Sequence, residues 1–370
     1  MRKYDVVVVG AGPGGSSAAE YAARSGLSVL FIDSRKEIGW PVQCGEFMPK
    51  TEEIHRLFSG VDEPSELFDV PARVVSKPTS IIRMVSPGGR DYDINFSGYS
   101  TERRDFDKYL AEKAVKAGAE LMTDTKFQKF DGRNRVVTSR GTFEAKVIVG
   151  ADGPFSTVRK EIGIESPKLL YPAMSTTMNG EFGDTVYMYF GNAAPAGYAW
   201  IIPKNGGANV GLGADPNLTK RKVGFYARDF IEEIGRKFNT KPRQIIAGGW
   251  VPMAGPLKRT VDGNVLLVGD AAGHVMATNG GGICVAMICG RIAGRVIGDS
   301  INKGTALVEY EKKWRAAVGR DLETARRMMG YAHFSFSNDW MLSLLFRIAG
   351  RKGLGKVIKC KSIFSLKDWT

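Results

Sequence analysis

Residues 5–16 read Asp5-Val6-Val7-Val8-Val9-Gly10-Ala11-Gly12-Pro13-Gly14-Gly15-Ser16. Four consecutive valines suit a strand that is buried on both faces, and the glycines that follow predict a tight turn into a helix that begins near Gly14. Gly10 permits the turn, Gly12 leaves room for phosphate oxygens beside the backbone, and Gly15 lets the helix pack closely on the strand. Because the first N–H groups of the helix would face an anion, we predict that a nucleotide pyrophosphate binds here.

The segment after this turn supports the same prediction. A helix-forming run over residues 18–24 leads into the apolar strand Val29-Leu30-Phe31-Ile32, which ends on Asp33. A carboxylate at this distance from the glycines can accept hydrogen bonds from a ribose hydroxyl. The alternative is a βαβ unit whose glycine-rich turn is only structural, but the strand, the helix and the acid together favour a dinucleotide site.

The composition is that of an ordinary globular protein. The 370-residue chain is 43% hydrophobic and 25% charged, and its length is sufficient for two domains. No apolar run approaches the ~18 residues of a membrane span, and no signal segment precedes the first strand, so we expect a cytoplasmic protein. The cysteines form neither a CxxC pair nor a Cys/His cluster, so the sequence predicts no disulfide framework and no metal site.

The charge favours an anionic partner, since the chain has a net charge of +13. The C-terminal tail combines basic and apolar residues without an acid from 347 to 367: Arg347, Arg351, Lys352, Leu354, Lys356, Val357, Ile358, Lys359, Lys361, Ile363, Phe364, Leu366 and Lys367. This mixture is typical of a peripheral segment that faces a membrane, although a basic tail that packs its apolar residues on the body of the protein is the alternative. No nucleic-acid motif accompanies the charge, so we expect no nucleic acid as partner.

Two parts of the chain interrupt the βαβ rhythm with patterns that predict antiparallel strands. Residues 80–85 and 91–96 flank a Pro-Gly-Gly turn, and three further strand patterns follow between 185 and 213. On one of these, Tyr198 and Trp200 point to the same face because they are two residues apart. Such an aromatic pair forms either plain core or the wall of a site for a flat or oily ligand.

The remaining candidate site residues follow buried strands. Cys44 belongs to a loop after the second strand, Asp152 follows the apolar run 147–149, and Asp270 follows the run 265–268. The carboxyl ends of parallel strands form the ligand side of such a sheet. Asn279-Gly280-Gly281-Gly282-Ile283 then begins a long helix and exposes N–H groups suited to an anion or a carbonyl-rich ring. The alternatives are an inert thiol at Cys44, a helix cap at Asp152 and a flexible hinge at the glycines.

Four of these segments together resemble the flavoproteins that include aromatic hydroxylases and geranylgeranyl reductases. They are the glycine turn, Arg103 three residues before Phe106-Asp107, the Gly-Ala-Asp-Gly segment 150–153, and the Gly-Asp-Ala-Ala segment 269–272 followed by Gly-Gly-Gly-Ile at 280–283. Within that group, Pro41-Val42-Gln43-Cys44-Gly45 and Tyr198-Ala199-Trp200-Ile201-Ile202-Pro203 are most similar to the geranylgeranyl reductases, in particular the archaeal digeranylgeranylglycerophospholipid reductases. The resemblance extends from about residue 4 to about residue 330.

The resemblance implies an α/β fold with three parts. A Rossmann-like FAD-binding domain of the aromatic-hydroxylase or glutathione-reductase type would comprise residues 1–75, 101–165 and 255–300. An antiparallel β-sheet substrate domain would comprise 76–100 and 166–254. The rest, 301–370, would be a C-terminal helical region that ends in the basic membrane-facing tail.

The resemblance also implies an extended FAD and assigns residues to it. Besides the turn glycines Gly10, Gly12, Gly14 and Gly15, the cofactor-binding residues would be Asp33, Cys44, Gly45, Phe47, Arg103, Phe127, Asp152, Asp270, Gly282 and Ile283. By matching positions, Asp33 would meet the adenosine ribose, Phe127 the adenine and Asp270 the ribityl-phosphate region. The loop of Cys44 would approach the flavin, and Gly282 and Ile283 would present N–H groups to its ring.

The implied activity is FAD-dependent reduction of isolated C=C bonds of geranylgeranyl chains in membrane lipid precursors. Reduced flavin would deliver hydride to one alkene carbon while a proton reaches the other. The implied catalytic residues are Tyr198 and Trp200, as walls of an apolar tunnel, and Cys44, which is a candidate proton donor beside water. No second GxGxxG marks a nicotinamide domain, so the external electron donor is either ferredoxin, another reductase or NADPH. His274 is expected to be a structural histidine satisfied by the backbone.

Two other flavin chemistries stay open at this point. The segment 198–203, in which Ile202 stands where the reductases often have phenylalanine, partly resembles the WxWxIP signature of flavin-dependent halogenases. An FAD-dependent monooxygenase or halogenase of an apolar substrate is therefore one alternative. A flavoprotein dehydrogenase that passes electrons to a quinone is the other, although the sequence supplies no iron–sulfur cysteines.

Overall fold

The computed structural model describes residues 1–243, 246–332 and 335–362. The strands are β1 (Arg2–Val9), β2 (Val29–Ile32), β3 (Phe47–Pro49), β4 (Val75–Val85), β5 (Asp91–Thr101), β6 (Glu120–Met122), β7 (Phe127–Asp131), β8 (Arg135–Thr138), β9 (Gly141–Gly150), β10 (Leu170–Asn179), β11 (Thr185–Gly191), β12 (Ala194–Lys204), β13 (Gly207–Ala214), β14 (Ala247–Pro252), β15 (Val261–Asp262) and β16 (Val265–Leu267). The α-helices are α1 (Pro13–Arg24), α2 (Thr51–Leu57), α3 (Ser65–Phe68), α4 (Arg103–Lys116), α5 (Thr157–Glu161), α6 (Val223–Lys237), α7 (Ile283–Lys303), α8 (Glu309–Trp314), α9 (Arg320–Ala332) and α10 (Asp339–Ile358). The predicted α/β fold class is confirmed.

The first sheet brings the predicted site loops together. Its order is β15-β16-β9-β1-β2-β6, in which β16, β9, β1, β2 and β6 run parallel, and the β7–β8 hairpin pairs with the start of β9. Val9 at the end of β1 pairs with Ile32 on one side and Gly150 on the other, and Gly150 pairs with Leu267. The loops that follow all four residues therefore leave the sheet at the same edge.

The second sheet has the order β14-β10-β13-β12-β11-β4-β5-β3. Its neighbours are antiparallel as predicted, except that β4 and β11 run parallel. The short strand Phe47–Pro49 joins this sheet through β5, although the resemblance implied that residues 1–75 belong to the FAD-binding domain. The other strands follow the predicted division, which as a statement about domains stays a prediction.

Helix α7 packs against α1 through a stripe of glycines. A Cβ added at Gly290 would lie 2.3 Å from the Gly14 carbonyl oxygen, and one at Gly294 would lie 2.7 Å from the Ala18 oxygen. Because any side chain would collide with the α1 backbone, glycine at these positions sets how closely the two helices approach. The contact holds the N-termini of both helices near the edge where the site loops meet.

The C-terminal region packs its far end on the rest of the protein. Leu354, Ile358 and Cys360 are buried. Lys359 pairs with Glu53 at 2.7 Å, and Lys361 pairs with Asp321 at 2.8 Å. This part of the predicted basic tail is thus used for internal contacts, whereas Ile363, Phe364, Leu366 and Lys367 lie outside the described residues. Among the helices that the structure describes, none has the length and hydropathy that a membrane crossing requires.

Candidate active site

A cavity of about 710 Å³ is bounded by residues from both sheets. Its volume lies within the range that is usual for ligand and cofactor sites. The predicted site residues that line it are Gly10, Gly12, Gly14, Asp33, Cys44, Gly45, Phe47, Arg103, Phe127, Asp152, Tyr198, Trp200, Asp270, Gly282 and Ile283. Segments far apart in the sequence thus meet at one cavity.

The turn after β1 shows why its glycines differ in role. Gly10 has φ +105°, and a Cβ there would lie 2.2 Å from the Ala151 carbonyl oxygen. A Cβ at Gly15 would lie 1.8 Å from the Gly10 oxygen, so Gly15 lies beneath the turn rather than at the cavity wall. Gly12 lines the cavity and has open space where a Cβ would stand, which leaves room for a ligand beside the backbone.

Asp33 lies at the cavity with its carboxylate already engaged. Oδ2 accepts hydrogen bonds from Ala11 N and Arg35 Nη2, and Oδ1 accepts from Arg35 N and Nε, all at 2.9 Å. Burial opposes ionisation, but these contacts outweigh it and lower the pKa of Asp33. A carboxylate offers about four acceptor positions, so a ribose hydroxyl would have to share or displace one from Arg35.

Asp152 combines a capping role with a free oxygen. Its Oδ2 accepts hydrogen bonds from Thr157 N at 2.7 Å and Val158 N at 3.1 Å, so the alternative that it caps the following helix is confirmed. Its Oδ1 is buried and has no hydrogen-bond partner in the described part of the chain. A buried acceptor without a partner is costly, and a ligand hydroxyl or N–H group in the cavity would satisfy it.

Arg159 ties together the two loops that contain Asp152 and Asp270. Its side chain is fully buried and donates to the carbonyl oxygens of Ala271, at 3.0 Å, and Pro154, at 2.9 Å. Sequence reasoning did not identify this residue. The only signal was a basic residue in an otherwise ordinary helix start, and its partner Ala271 lies 112 positions away.

The start of α7 forms another polar part of the cavity wall. Gly282, the N-cap residue of α7, has no side chain that could cap the helix, and the first helical residue, Ile283, lines the cavity at the positive end of the helix dipole. Asp270 lines the cavity nearby, and burial raises its pKa to about 6, although the charge of Arg103 lowers it in part. This wall can accommodate an acceptor-rich group.

Cys44 and Arg103 lie together where the two sheets meet. The Cys44 thiol is half-buried, and its Sγ accepts a hydrogen bond from Glu46 N at 3.2 Å. The Arg103 guanidinium contacts this sulfur and forms a bidentate pair with Asp107 at 2.8 Å. Burial opposes the charge of Arg103, but Asp107 and Cys44 together raise its pKa. The guanidinium therefore stays charged beside the thiol.

A buried polar cluster, which the sequence did not reveal, holds the loop that contains Cys44 in place. We call Glu46, Lys204 and Asn209 the Glu46 cluster. Glu46 Oε2 accepts hydrogen bonds from Lys204 Nζ at 2.7 Å and Asn209 Nδ2 at 3.0 Å, while Oε1 accepts from Arg103 N at 2.9 Å. Asn209 in turn accepts from Trp200 Nε1 at 2.8 Å and donates to the Cys44 carbonyl at 2.9 Å. The cluster thus joins the Cys44 loop to Trp200.

The rings of Tyr198 and Trp200 form an aromatic wall. Their centroids are 5.7 Å apart and both line the cavity, so the prediction that they share a face is confirmed. Trp200 lies over Gly211, where a Cβ would approach its ring to 2.7 Å, and the Tyr198 hydroxyl donates to the Asn279 carbonyl. Burial, together with the nearby Cys44, raises the pKa of Tyr198. The phenol is therefore neutral at physiological pH.

His274 is a structural residue as expected, but the expectation that the backbone satisfies its ring is wrong. Its ring is fully buried against Trp314, with centroids 4.6 Å apart, and neither ring nitrogen has a hydrogen-bond partner among the residues described. Burial and the nearby Arg315 lower its pKa to about 3. The histidine is thus a neutral packing residue whose backbone neighbours do not reach the ring.

These features fit a dinucleotide. The space at Gly12 beside the α1 N-terminus suits a pyrophosphate, and the unpaired Asp152 Oδ1 suits a hydroxyl. A model of the FAD binding domain matches residues 3–324 of the chain. The chain is 35% identical to digeranylgeranylglycerophospholipid reductase 2 of Methanothermobacter thermautotrophicus, across 99% of this chain and 97% of the relative. The chain belongs to the digeranylgeranylglycerophospholipid reductase family.

Membership of the digeranylgeranylglycerophospholipid reductase family confirms the predicted FAD cofactor and makes the chain an FAD-dependent oxidoreductase. A solved geranylgeranyl bacteriochlorophyll reductase-like protein from Thermoplasma acidophilum superposes with a TM-score of 0.83 at 28% identity, covering 96% of this chain and 94% of that one. A flavin-dependent brominase superposes with a TM-score of 0.72 at 17% identity, covering 100% and 96%. The second likeness shows a shared fold alone.

Proposed function

We propose that the chain saturates isolated C=C bonds of geranylgeranyl chains in a membrane-lipid precursor. One observation supports this choice: the turn at Gly12, suited to a pyrophosphate, and the aromatic wall of Tyr198 and Trp200 line the same cavity. Phe190 and Phe336 extend that wall with further apolar surface. A prenyl chain offers no polar group along its length, so an apolar wall is the recognition that its chemistry permits.

The residues of the chain would bind, orient and protonate. FAD, once bound and reduced, supplies the hydride. Tyr198 and Trp200 would hold the alkene and exclude water, which an unactivated double bond requires because it has no carbonyl to polarise. Cys44 is our candidate for the proton source, since its thiol lies at the cavity beside Arg103. Water is the other source.

The electron donor would be external, either ferredoxin, another reductase or NADPH, because the sequence has a single GxGxxG turn. The substrate is a membrane lipid, so we place the protein at the cytoplasmic surface of the membrane as a peripheral protein.

The test is an anaerobic single turnover. Holoprotein reduced with dithionite is incubated with a geranylgeranyl phospholipid, and the product is read by mass. We expect the mass to increase by two hydrogens for each bond reduced, without oxygen. Product that appears only with oxygen, with or without halide, would support the monooxygenase or halogenase alternative instead. Oxidation of the flavin by an added quinone, with the lipid unchanged, would support the dehydrogenase alternative.

The role of Cys44 is tested separately. If its thiol is the proton source, Cys44→Ala slows the reduction, whereas Cys44→Ser retains part of the rate with a shifted pH profile. FAD absorbance should remain at the wild-type level in both variants. An unchanged rate in Cys44→Ala would leave water as the source.

A further inference from the structure

The first three turns of α10, residues 339–349, have apolar residues on two opposite faces. Leu342 and Phe346 are buried, whereas Trp340 is 71% exposed and Ile348 is 73% exposed. Leu344, one turn after Trp340, is also exposed. A helix that is apolar on all sides belongs either in a protein core or in lipid. Only one of the two faces of this helix has a protein partner in the described structure.

After Asp339, the charged residues of α10 are all basic, and one of them, Arg351, faces Asp93 of β5. Arg347, Arg351 and Lys352 are exposed, and no acid follows Asp339 up to residue 362. Tryptophan, leucine and isoleucine next to arginine and lysine are the composition of helices that lie in a membrane interface. Lys359 and Lys361, by contrast, pair with internal acids. Among the described residues, the basic surface available for docking therefore lies before residue 353.

The buried face of the same segment packs against Phe190, which lines the cavity. The Phe346 ring packs edge-on against Phe190 at 5.1 Å, and Phe190 lies 6.0 Å from Tyr198. Phe336, just before α10, and Ile358, its last residue, both line the cavity. Helix α10 thus lies between solvent and the aromatic wall, and Gly350, with φ 56° and ψ −171°, breaks it near the middle.

We propose that this segment docks on the surface of an anionic lipid bilayer. The docking residues, which we call the α10 dock, are Trp340, Leu344, Leu345, Arg347, Ile348, Arg351 and Lys352. The apolar members would enter the boundary of the acyl chains while the basic members contact the anionic headgroups. Resting on the proposed function, we further propose that a prenyl chain passes from the bilayer alongside Phe346 into the cavity.

Vesicle binding tests the dock without reference to activity. FAD-loaded full-length protein is sedimented with vesicles of phosphatidylcholine, with or without phosphatidylglycerol. We expect the anionic vesicles to bind the protein and salt to weaken that binding. The variant Trp340→Ser/Leu344→Ser/Ile348→Ser should bind at least about ten-fold more weakly. The control Phe225→Ser, which removes an exposed aromatic residue from α6, should bind as the wild type does.

A second variant separates the two contributions. Arg347→Gln/Arg351→Gln/Lys352→Gln should lose the preference for anionic vesicles and the salt dependence, while the apolar residues retain weaker binding. Wild-type protein that ignores vesicles, or a serine variant that binds them as the wild type does, would overturn the dock. A wild-type protein that instead forms dimers, lost in the serine variant, would show that a second copy covers this face.

Activity measurements in micelles and vesicles separate the docking proposal from the proposed function. The serine variant should reduce a prenyl substrate in detergent micelles at the wild-type rate, and the same lipid in vesicles at least about ten-fold more slowly. Equal rates in vesicles would overturn the passage beside Phe346. If the wild type reduces no prenyl lipid in either form yet binds vesicles, the proposed function fails while the dock stands.

Discussion

Glu46 and Lys204 form an ion pair, 2.7 Å from Oε2 to Nζ, in which both side chains are almost fully buried. Glu46 also has a left-handed backbone, with φ 65°, which is unfavourable for a residue with a side chain. Both carboxylate oxygens are hydrogen-bonded, which compensates for the burial and the conformation. The pair therefore fixes the loop after Cys44 relative to the strand that contains Trp200.

Removing only the lysine of this pair should lower the free energy of unfolding more than removing both charges does. Lys204→Met leaves the Glu46 carboxylate buried without its cation and should lower the free energy of unfolding by about 3–5 kcal/mol. The double variant Glu46→Gln/Lys204→Met removes both charges and should recover at least half of that loss. Urea denaturation of the apoproteins measures both values. A single variant that loses less than about 1 kcal/mol would contradict the structural role.

The contrast with the glycine turn explains what sequence could predict. The roles of Gly10, Gly12 and Gly15 follow from local chemistry, because a strand, a tight turn and a helix start are adjacent in the chain. The Glu46 cluster depends on contacts between residues 158 and 163 positions apart. In the sequence, Glu46 is only a polar loop residue and Lys204 a charge at the end of a strand. The one available signal was that an apolar strand ends in lysine.

The α1–α7 contact is testable through its glycines. Gly290→Ala places a methyl group against the Gly14 carbonyl oxygen, so we expect the free energy of unfolding to fall by about 1–3 kcal/mol. The displaced α1 N-terminus should also bind FAD more weakly. Gly330→Ala is the matched control, because this residue of α9 has open space around its Cβ position and alanine favours helix by up to about 1 kcal/mol. Equal effects of the two substitutions on the free energy of unfolding would contradict the contact.

The same stripe marks another limit of the sequence. Glycines at 290, 294 and 298 recur every fourth residue, which places them on one helix face. That spacing indicates a close contact with some backbone. It does not identify α1 as the partner, because the partner depends on how the sheet arranges its helices.

Arg159 should support FAD binding without touching the dinucleotide's reactive end. Arg159→Lys retains a positive charge but has a single ammonium group, which cannot match the planar fork that reaches both loop carbonyls. An unsatisfied buried carbonyl costs about 1–3 kcal/mol, so the two loops should shift in the variant, and FAD affinity should fall by about ten-fold because binding has to restore their positions. Flavin fluorescence titration of the apoprotein measures this. Lys160→Ala, at the exposed neighbour, should leave the affinity unchanged.

The buried Asp270 carboxyl should make the free energy of unfolding depend on pH in a defined direction. Burial raises its pKa in the folded apoprotein from 3.8 to about 6, so the folded state favours the protonated carboxyl. This contribution to stability is fully present below the unfolded pKa of 3.8 and is lost as pH rises through the folded pKa of about 6. Asp270→Asn removes the cost of ionisation. Relative to the wild type, the free energy of unfolding of the variant should therefore rise by about 1–3 kcal/mol between about pH 4 and about pH 6. The difference should stay constant above that range.

Urea unfolding of the two apoproteins across that pH range checks the Asp270 prediction. Asp262→Asn, at a half-buried aspartate of β15 whose partner Arg259 is exposed, is the control and should change the free energy of unfolding by less than about 1 kcal/mol at each pH. The holoprotein should respond differently, because the variant alters the proposed contact between Asp270 and the ribityl-phosphate region. The variant should therefore bind FAD more weakly, although its apoprotein is more stable. Parallel pH curves for the Asp270→Asn variant and the wild type would show that the carboxyl is already solvated in the apoprotein. A gain in stability without any loss of FAD affinity would contradict the contact between Asp270 and the cofactor.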